Sequence, residues 1–280
     1  MTDDGLVVRL HEPLARHTPH RTGGPCDAFV VAWTEAGLIT ALRDCRQADT
    51  KVMVLGAGTR TVFRDPAFPG VVLRLGGELA HLGEWAQAQQ GPTLLQVGAG
   101  APVPALVALA ERWGWTGLEP FACTPGSLGA AVLFDDPWEP LVEAVGTIRR
   151  DKVVEAKLST VRRRRSSVVV WVRLRLQAAE PVFVARRTAH HWLGGTPSPP
   201  GAWYEPPRRG SARAVLRSVQ LPLVRLRRVA IPEEAPECLV NLGGGTAADL
   251  ALLHRSAIDR VKSVRGLTLG SQLKWLGPRS

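Results

Sequence analysis

Two glycine-rich turns and one arginine run are the places where this chain could do chemistry. The first turn, Gly56-Ala57-Gly58-Thr59-Arg60, follows the apolar run Lys51-Val52-Met53-Val54-Leu55. Successive backbone N–H groups in such a turn can form a nest for an anion, because no side chain blocks a phosphate's approach. The second, Thr124-Pro125-Gly126-Ser127-Leu128-Gly129-Ala130-Ala131, combines small residues with hydroxyls. Its backbone can approach a cofactor closely, and Ser127 can donate to a phosphate oxygen. The run Arg162-Arg163-Arg164-Arg165 could hold a phosphate, but it reads first as a solvated loop ahead of a strand. His190-His191 lacks carboxylate or cysteine partners at ligand spacing, so no metal site is expected.

The elements that must position these turns are legible in outline. Thr34 caps a helix running to Gln47, with Leu38, Ile39, Leu42 and Cys45 on one face. Residues 51–55 read as a short buried strand, 71–75 as a second and Leu95-Gln96-Val97 as a third. A helix from Pro104 to Trp113 turns Leu106, Leu109, Ala110 and Trp113 inward, and Gly117 to Ala131 is loop-rich. Val168 to Leu176 alternates late in its course, as a strand with one solvated face does. Thr246 to Val261 is a helix with a capping-box pair, Thr246 and Asp249, and an apolar stripe of Leu250, Leu253, Ala257, Ile258 and Val261. A dinucleotide-binding Rossmann unit is not expected. Thr61 stands where its third glycine belongs, and Pro66 and Pro69 leave no room for a crossover helix.

The 280 residues carry 45% hydrophobic and 21% charged side chains, enough apolar material for a core. The net charge is +10, and only five of the 35 cations are lysine (Lys51, Lys152, Lys157, Lys262 and Lys274). That field favours anionic partners such as phosphates. With 6% aromatics and no recognition motif, nucleic acid is not the expected partner. Cys26, Cys45, Cys123 and Cys238 form no C-x-x-C pair and read as the buried thiols of a cytoplasmic protein. No leader peptide and no membrane span is expected. The composition shifts over residues 190–210, which are rich in proline, glycine and serine, and the domain boundary is expected just before them, near Ala178–Pro181. The expected division is a loose arm over 1–16, a domain over 17–178 and a second over 181–280.

Taken in order, these pieces resemble one family, the UDP-N-acetylenolpyruvoylglucosamine reductases (MurB). His17-Thr18-Pro19-His20-Arg21-Thr22-Gly23-Gly24-Pro25-Cys26 is similar to the family's opening N-T-x-R-x-G-G-P-A. Val54-Leu55-Gly56-Ala57-Gly58-Thr59-Arg60 resembles V-L-G-x-G-S-N, and Phe68 to Leu75 follows as in the family. Gly117 to Ala131 resembles G-L-E-x-L-x-G-I-P-G-T-V-G-G-A, and Val240 to Asp249 resembles V-N-L-G-x-A-T-A-x-D. The resemblance implies an α+β fold: an FAD-binding domain of the vanillyl-alcohol-oxidase type, then a smaller α/β domain for a UDP-sugar nucleotide. It also implies an FAD site on Gly56, Ala57, Gly58, Thr59, Arg60, Thr124, Pro125, Gly126, Ser127 and Gly129, with NADPH as reductant in an active enzyme.

The departures fall on catalytic positions. The family's proton-donating serine lies in G-S-x-F-K-N-P, and Gly201-Ala202-Trp203-Tyr204-Glu205-Pro206-Pro207 puts Ala202 there, with Glu205 on the motif's lysine. The family's glutamate in L-x-P-E-V falls on Gln272. Its arginine in Y-R-x-S has no clean equivalent, Arg162 being the first candidate, and Asp135-Asp136-Pro137-Trp138 replaces the loop N-x-G-A-Y-G. The resemblance therefore leads to a flavoprotein whose reductase chemistry is impaired or absent, a non-catalytic paralogue in peptidoglycan precursor metabolism. The alternatives are an active FAD- and NADPH-dependent reductase with rearranged catalytic groups, and a basic protein that binds anionic polymers through Arg162–Arg165 and Arg208–Arg209.

Overall fold

The structure, a computed structural model, describes residues 5–86, 92–122, 124–134, 136–164, 167–193, 203–205, 211–221 and 223–278. The fold is α+β, and the chain forms two compact units. Unit one draws its residues from Met1–Leu10, Ala28–Ala57 and Gly70–Thr196, and unit two from His11–Asp27, Gly58–Pro69 and Pro197–Ser280. The units thus interleave along the chain, whereas the composition shift alone suggests a single division near residue 180.

Unit one holds two sheets. The first has the order β1 (Leu6–Leu10), β2 (Cys26–Ala32), β5 (Phe68–Leu75), β3 (Val52–Val54). Its β1 corrects the expectation of a loose N-terminal arm: Leu6 pairs with Ala32 and Leu10 with Ala28 in an antiparallel ladder. Strand β3 runs parallel to β5, with Val52 opposite Val71, and no helix lies between them. Only Leu55 of the expected buried strand is fully buried, because β3 is an edge and Val54 is exposed. Helix α1 (Glu35–Gln47) starts where expected, the Thr34 hydroxyl accepting from the Gly37 N–H at 3.1 Å. It packs Leu38 and Ala41 against Val30, Val71 and Leu73.

The second sheet has the order β10 (Lys152–Ala156), β9 (Val142–Arg149), β11 (Val169–Ala178), β7 (Thr93–Gly98), β6 (Glu84–Ala86), with β8 (Trp115–Thr116) paired to β11. The solvated face of β11 is carried by ion pairs, Arg173 with Glu155 at 2.9 Å and Arg175 with Glu143 at 2.8 Å. The other face enters a core with Leu106, Val107 and Ala110 of α2 (Val103–Trp113), Leu128 and Val132 of α3 (Leu128–Phe134), and Leu158 and Val161 of α4 (Leu158–Arg163). Trp113, expected inward, is 46% exposed and stacks on Trp115. Helix α5 (Pro181–Leu193) completes the unit.

Unit two has its own core. Strand β4 (Thr61–Phe63) runs parallel to β15 (Lys274–Leu276), and β12 (Arg225–Leu226), β13 (Val229–Ala230) and β14 (Val240–Asn241) form a small antiparallel sheet. Short α6 (Ala212–Arg217) and long α7 (Ala247–Arg265) pack on these. Both bonds of the expected capping box are present in α7, and Asp65 accepts at both oxygens from the Ala247 N–H, at 2.9 and 3.0 Å. The stripe gains a residue the sequence reading left aside, His254, buried among the apolar positions. No helix among the described residues is long and apolar enough to cross a membrane.

Candidate functional site

In unit one the two turns meet. The first is carried off the end of β3, where Leu55 N–H donates to the Leu73 carbonyl at 2.8 Å. The second is tied to the segment after β7 by three backbone bonds. Val103 N–H donates to Gly126 O at 3.0 Å, Leu128 N–H to Ala101 O at 2.9 Å, and Gly129 N–H to Ala99 O at 2.8 Å. A Cβ on Gly129 would stand 2.8 Å from that of Ala99, and Gly126 takes φ +132°, so two of the glycines in this turn are required by space and backbone. Gly56 faces Ser127 so closely that a Cβ there would fall 2.3 Å from the Ser127 hydroxyl oxygen. The chain thus brings a small-residue turn and a hydroxyl together, an arrangement that suits the oxyanions of a phosphate.

Gly56→Ala tests this junction. It should lower stability by about 1–2 kcal/mol, because an added methyl in a packed site forces a shift. Ser127→Ala in the same chain should recover most of the loss, since the next atoms are the Cβ atoms of Ser127 and Ala130 at 3.4 and 3.6 Å. Thermal midpoints of the single and double variants decide it; a double variant no better than the single one would refute the close approach.

The rest of the first turn belongs to unit two. Gly58 takes φ +70° and packs on Thr18, while the imidazole Nε2 of His20 lies 3.0 Å from the Thr59 carbonyl. Asn241 joins two more of the quoted motifs. Its amide donates to the carbonyls of His20 at 3.0 Å and Gly245 at 2.9 Å, and its oxygen accepts from the Gly243 and Gly245 N–H groups at 3.0 Å. Arg60 is anchored by its carbonyl, which accepts from Lys274 N–H at 2.8 Å.

The two segments matched to catalytic motifs also lie together in unit two. Gln272 N–H donates to the Trp203 carbonyl at 3.0 Å, Glu205 N–H donates to Gly270 O at 2.9 Å, and Tyr204 bridges Ser271. Ala202 itself lies outside the described residues, as do Cys123, Asp135, Arg165 and the side chains of His190 and His191. Arg162 is not on a solvated loop: it lies in the last turn of α4, its Nε donating to the Val132 carbonyl at 2.9 Å and its Nη1 pairing with Glu139 at 3.0 Å. Trp138, in the segment that the resemblance aligns with N-x-G-A-Y-G, is fully buried and stacks on Phe121 with ring centroids 3.9 Å apart.

Around Trp203 sits a buried ring cluster that spacing in the sequence did not announce. His20 meets Trp203 edge-on at 4.8 Å, and His254 stacks on Tyr204 at 4.9 Å. Burial lowers the pKa of His20 and lowers that of His254 to about 4, partly opposed in each by a backbone hydrogen bond. Burial likewise pushes the Tyr204 hydroxyl well above its usual range. Trp203 Nε1, Tyr204 OH and His254 Nε2 have no hydrogen-bond partner among the described residues. The one sign of this cluster in the sequence was His254 falling on the apolar stripe of α7.

Comparison with known proteins follows the same lines. Residues 26–157 match a family described as an FAD binding domain. The UDP-N-acetylenolpyruvoylglucosamine reductase of Anaeromyxobacter sp. (strain Fw109-5) is 30% identical over 291 residues, covering 98% of this chain and 89% of that protein. UDP-N-acetylenolpyruvoylglucosamine reductase 2 of Symbiobacterium thermophilum is 30% identical over 288 residues, covering 95% and 90%. The crystal structure of the reductase (MurB) from Thermus caldophilus shares the fold, with TM-score 0.77 and 24% identity over 97% of this chain and 99% of that one.

Proposed function

Because the chain belongs to the UDP-N-acetylenolpyruvoylglucosamine reductase family, we propose that it keeps the family's FAD site and lacks its reductase chemistry. In this reading it is a non-catalytic paralogue that binds FAD, with a UDP-sugar nucleotide as its ligand, in peptidoglycan precursor metabolism. The residue types present suit FAD: the turns that meet at Gly56 and Ser127 are built of small residues and a hydroxyl, and Gly56 and Gly129 pack too closely on Ser127 and Ala99 to carry a side chain. When bound, FAD supplies hydride transfer; moving the proton that must accompany it falls to the protein, and that is the part this chain lacks in this reading.

One observation carries the loss of chemistry. The segment Trp203–Glu205 is hydrogen-bonded to the segment holding Gln272, and these are the two segments that the resemblance aligns with the family's catalytic motifs. In the sequence the aligned positions are an alanine, Ala202, and an amide, Gln272. Neither transfers a proton as a carboxyl or hydroxyl does. The second reading, an active FAD- and NADPH-dependent reductase with rearranged groups, is favoured by the near full-length match to relatives named as reductases. The visible spectrum of the purified protein and calorimetry with a UDP-N-acetylhexosamine test the proposal. Flavin absorption with sugar-nucleotide binding is expected. A colourless protein that takes up no added FAD would overturn it.

A further inference from the structure

We infer that Arg74 is a cofactor-binding residue of this chain, supplying the positive charge that holds a dinucleotide's diphosphate at the Gly56 turn. The inference deepens the FAD reading and rests on it. Strand β5 alternates. Val71 and Leu73 enter the apolar cluster under α1, so Val72 and Arg74 point to the opposite face of the sheet. There the Arg74 guanidinium lies 5.6 Å from the centroid of the Phe29 ring, and its Nη2 donates to the Gly56 carbonyl at 3.4 Å. Gly56 is the residue that meets the Ser127 hydroxyl. A cation, a hydroxyl and a small-residue turn therefore converge within unit one.

The chemistry of the side chain suits the role. A guanidinium stays charged in a protein and presents five N–H donors in a planar fork that matches phosphate oxygens. Arg74 is partly buried, and burial lowers its pKa, so the charge stands where an anion is screened less than in bulk water. The first turn also contains Arg60, but that arginine lies in unit two. Arg74 was not singled out from the sequence because it sits 18 residues from Gly56, near the end of an apolar strand.

The test compares the apoprotein with Arg74→Gln and Arg74→Lys. FAD affinity is titrated by flavin fluorescence at two salt concentrations, and the thermal midpoint of each apoprotein is recorded. Arg74→Gln is expected to weaken FAD roughly ten- to a hundredfold, the size of a lost charge-assisted contact. Arg74→Lys should lose less, and the salt dependence of binding should be shallower in Arg74→Gln than in the unaltered protein. An FAD affinity within twofold in Arg74→Gln would overturn the inference while leaving the FAD reading intact. So would weaker binding with unchanged salt dependence and a lowered apoprotein midpoint, which marks a structural support of the Phe29 strand. An unaltered protein that takes up no FAD overturns both.

Discussion

Saturated with FAD and given NADPH and the enolpyruvyl sugar nucleotide, the protein is expected to show no turnover, and Ala202→Ser alone will not restore it. Reduction of an enolpyruvyl ether needs a proton delivered beside the carbon that receives hydride. Loss of one positioned donor typically costs about 10²–10⁴ in rate. The resemblance aligns Ala202 with the family's serine and Gln272 with its glutamate. Groups that act together do not lose their effects additively, so returning one leaves the rate near the level set by the missing other. Arg162, the candidate for the family's arginine, is engaged with Val132 and Glu139. The measurement is substrate-dependent NADPH oxidation by the parent chain, Ala202→Ser, and Ala202→Ser with Gln272→Glu. Activity in the parent chain or in the single variant would establish the active-reductase reading in its place.

The second large effect is a loss of stability in acid. His254 is 6% exposed, and its pKa falls from the ordinary 6.5 to about 4 because burial disfavours the imidazolium. The unfolded chain therefore binds a proton that the folded chain refuses. The stability this histidine contributes is complete above about pH 6.5 and is lost as pH falls toward 4, where the loss reaches about 3 kcal/mol. His20 shifts in the same direction in the same ring cluster and adds to the loss. His254→Phe keeps a ring against Tyr204 and removes the titration. Urea unfolding at pH 7.5 and 4.5 should show a clearly smaller acid loss in that variant. Equal losses in both proteins would show that other groups set the acid response.

The cysteines illustrate how far local reading reaches. Cys26 and Cys238 are buried thiols, as their isolation in the sequence suggested, whereas Cys45 is only partly covered. Burial raises the pKa of all three, that of Cys238 to about 11, so none is an activated thiolate. Spacing in the sequence shows that the four cysteines form no C-x-x-C pair; only packing says how Cys26, Cys45 and Cys238 are covered.

What the sequence by itself determined are features whose partners lie within a few residues. The Thr34 cap, the Thr246–Asp249 capping box, the helical stripe of α7 and the glycine turns are of this kind. Their hydrogen bonds and periodicities are local, and they also carry the family likeness. The missing third glycine and the two prolines excluded a Rossmann crossover in the same way. Only the tertiary structure decided what meets across long stretches of chain. It placed Gly56 against Ser127 and Gln272 on Trp203. It turned the N-terminal arm into a strand of unit one. It drew Arg162 out of an apparent charge run and onto Val132, and it brought Arg74 to the Gly56 carbonyl. Contacts of this kind depend on the path of the chain between the partners, and residue type at either end does not encode that path.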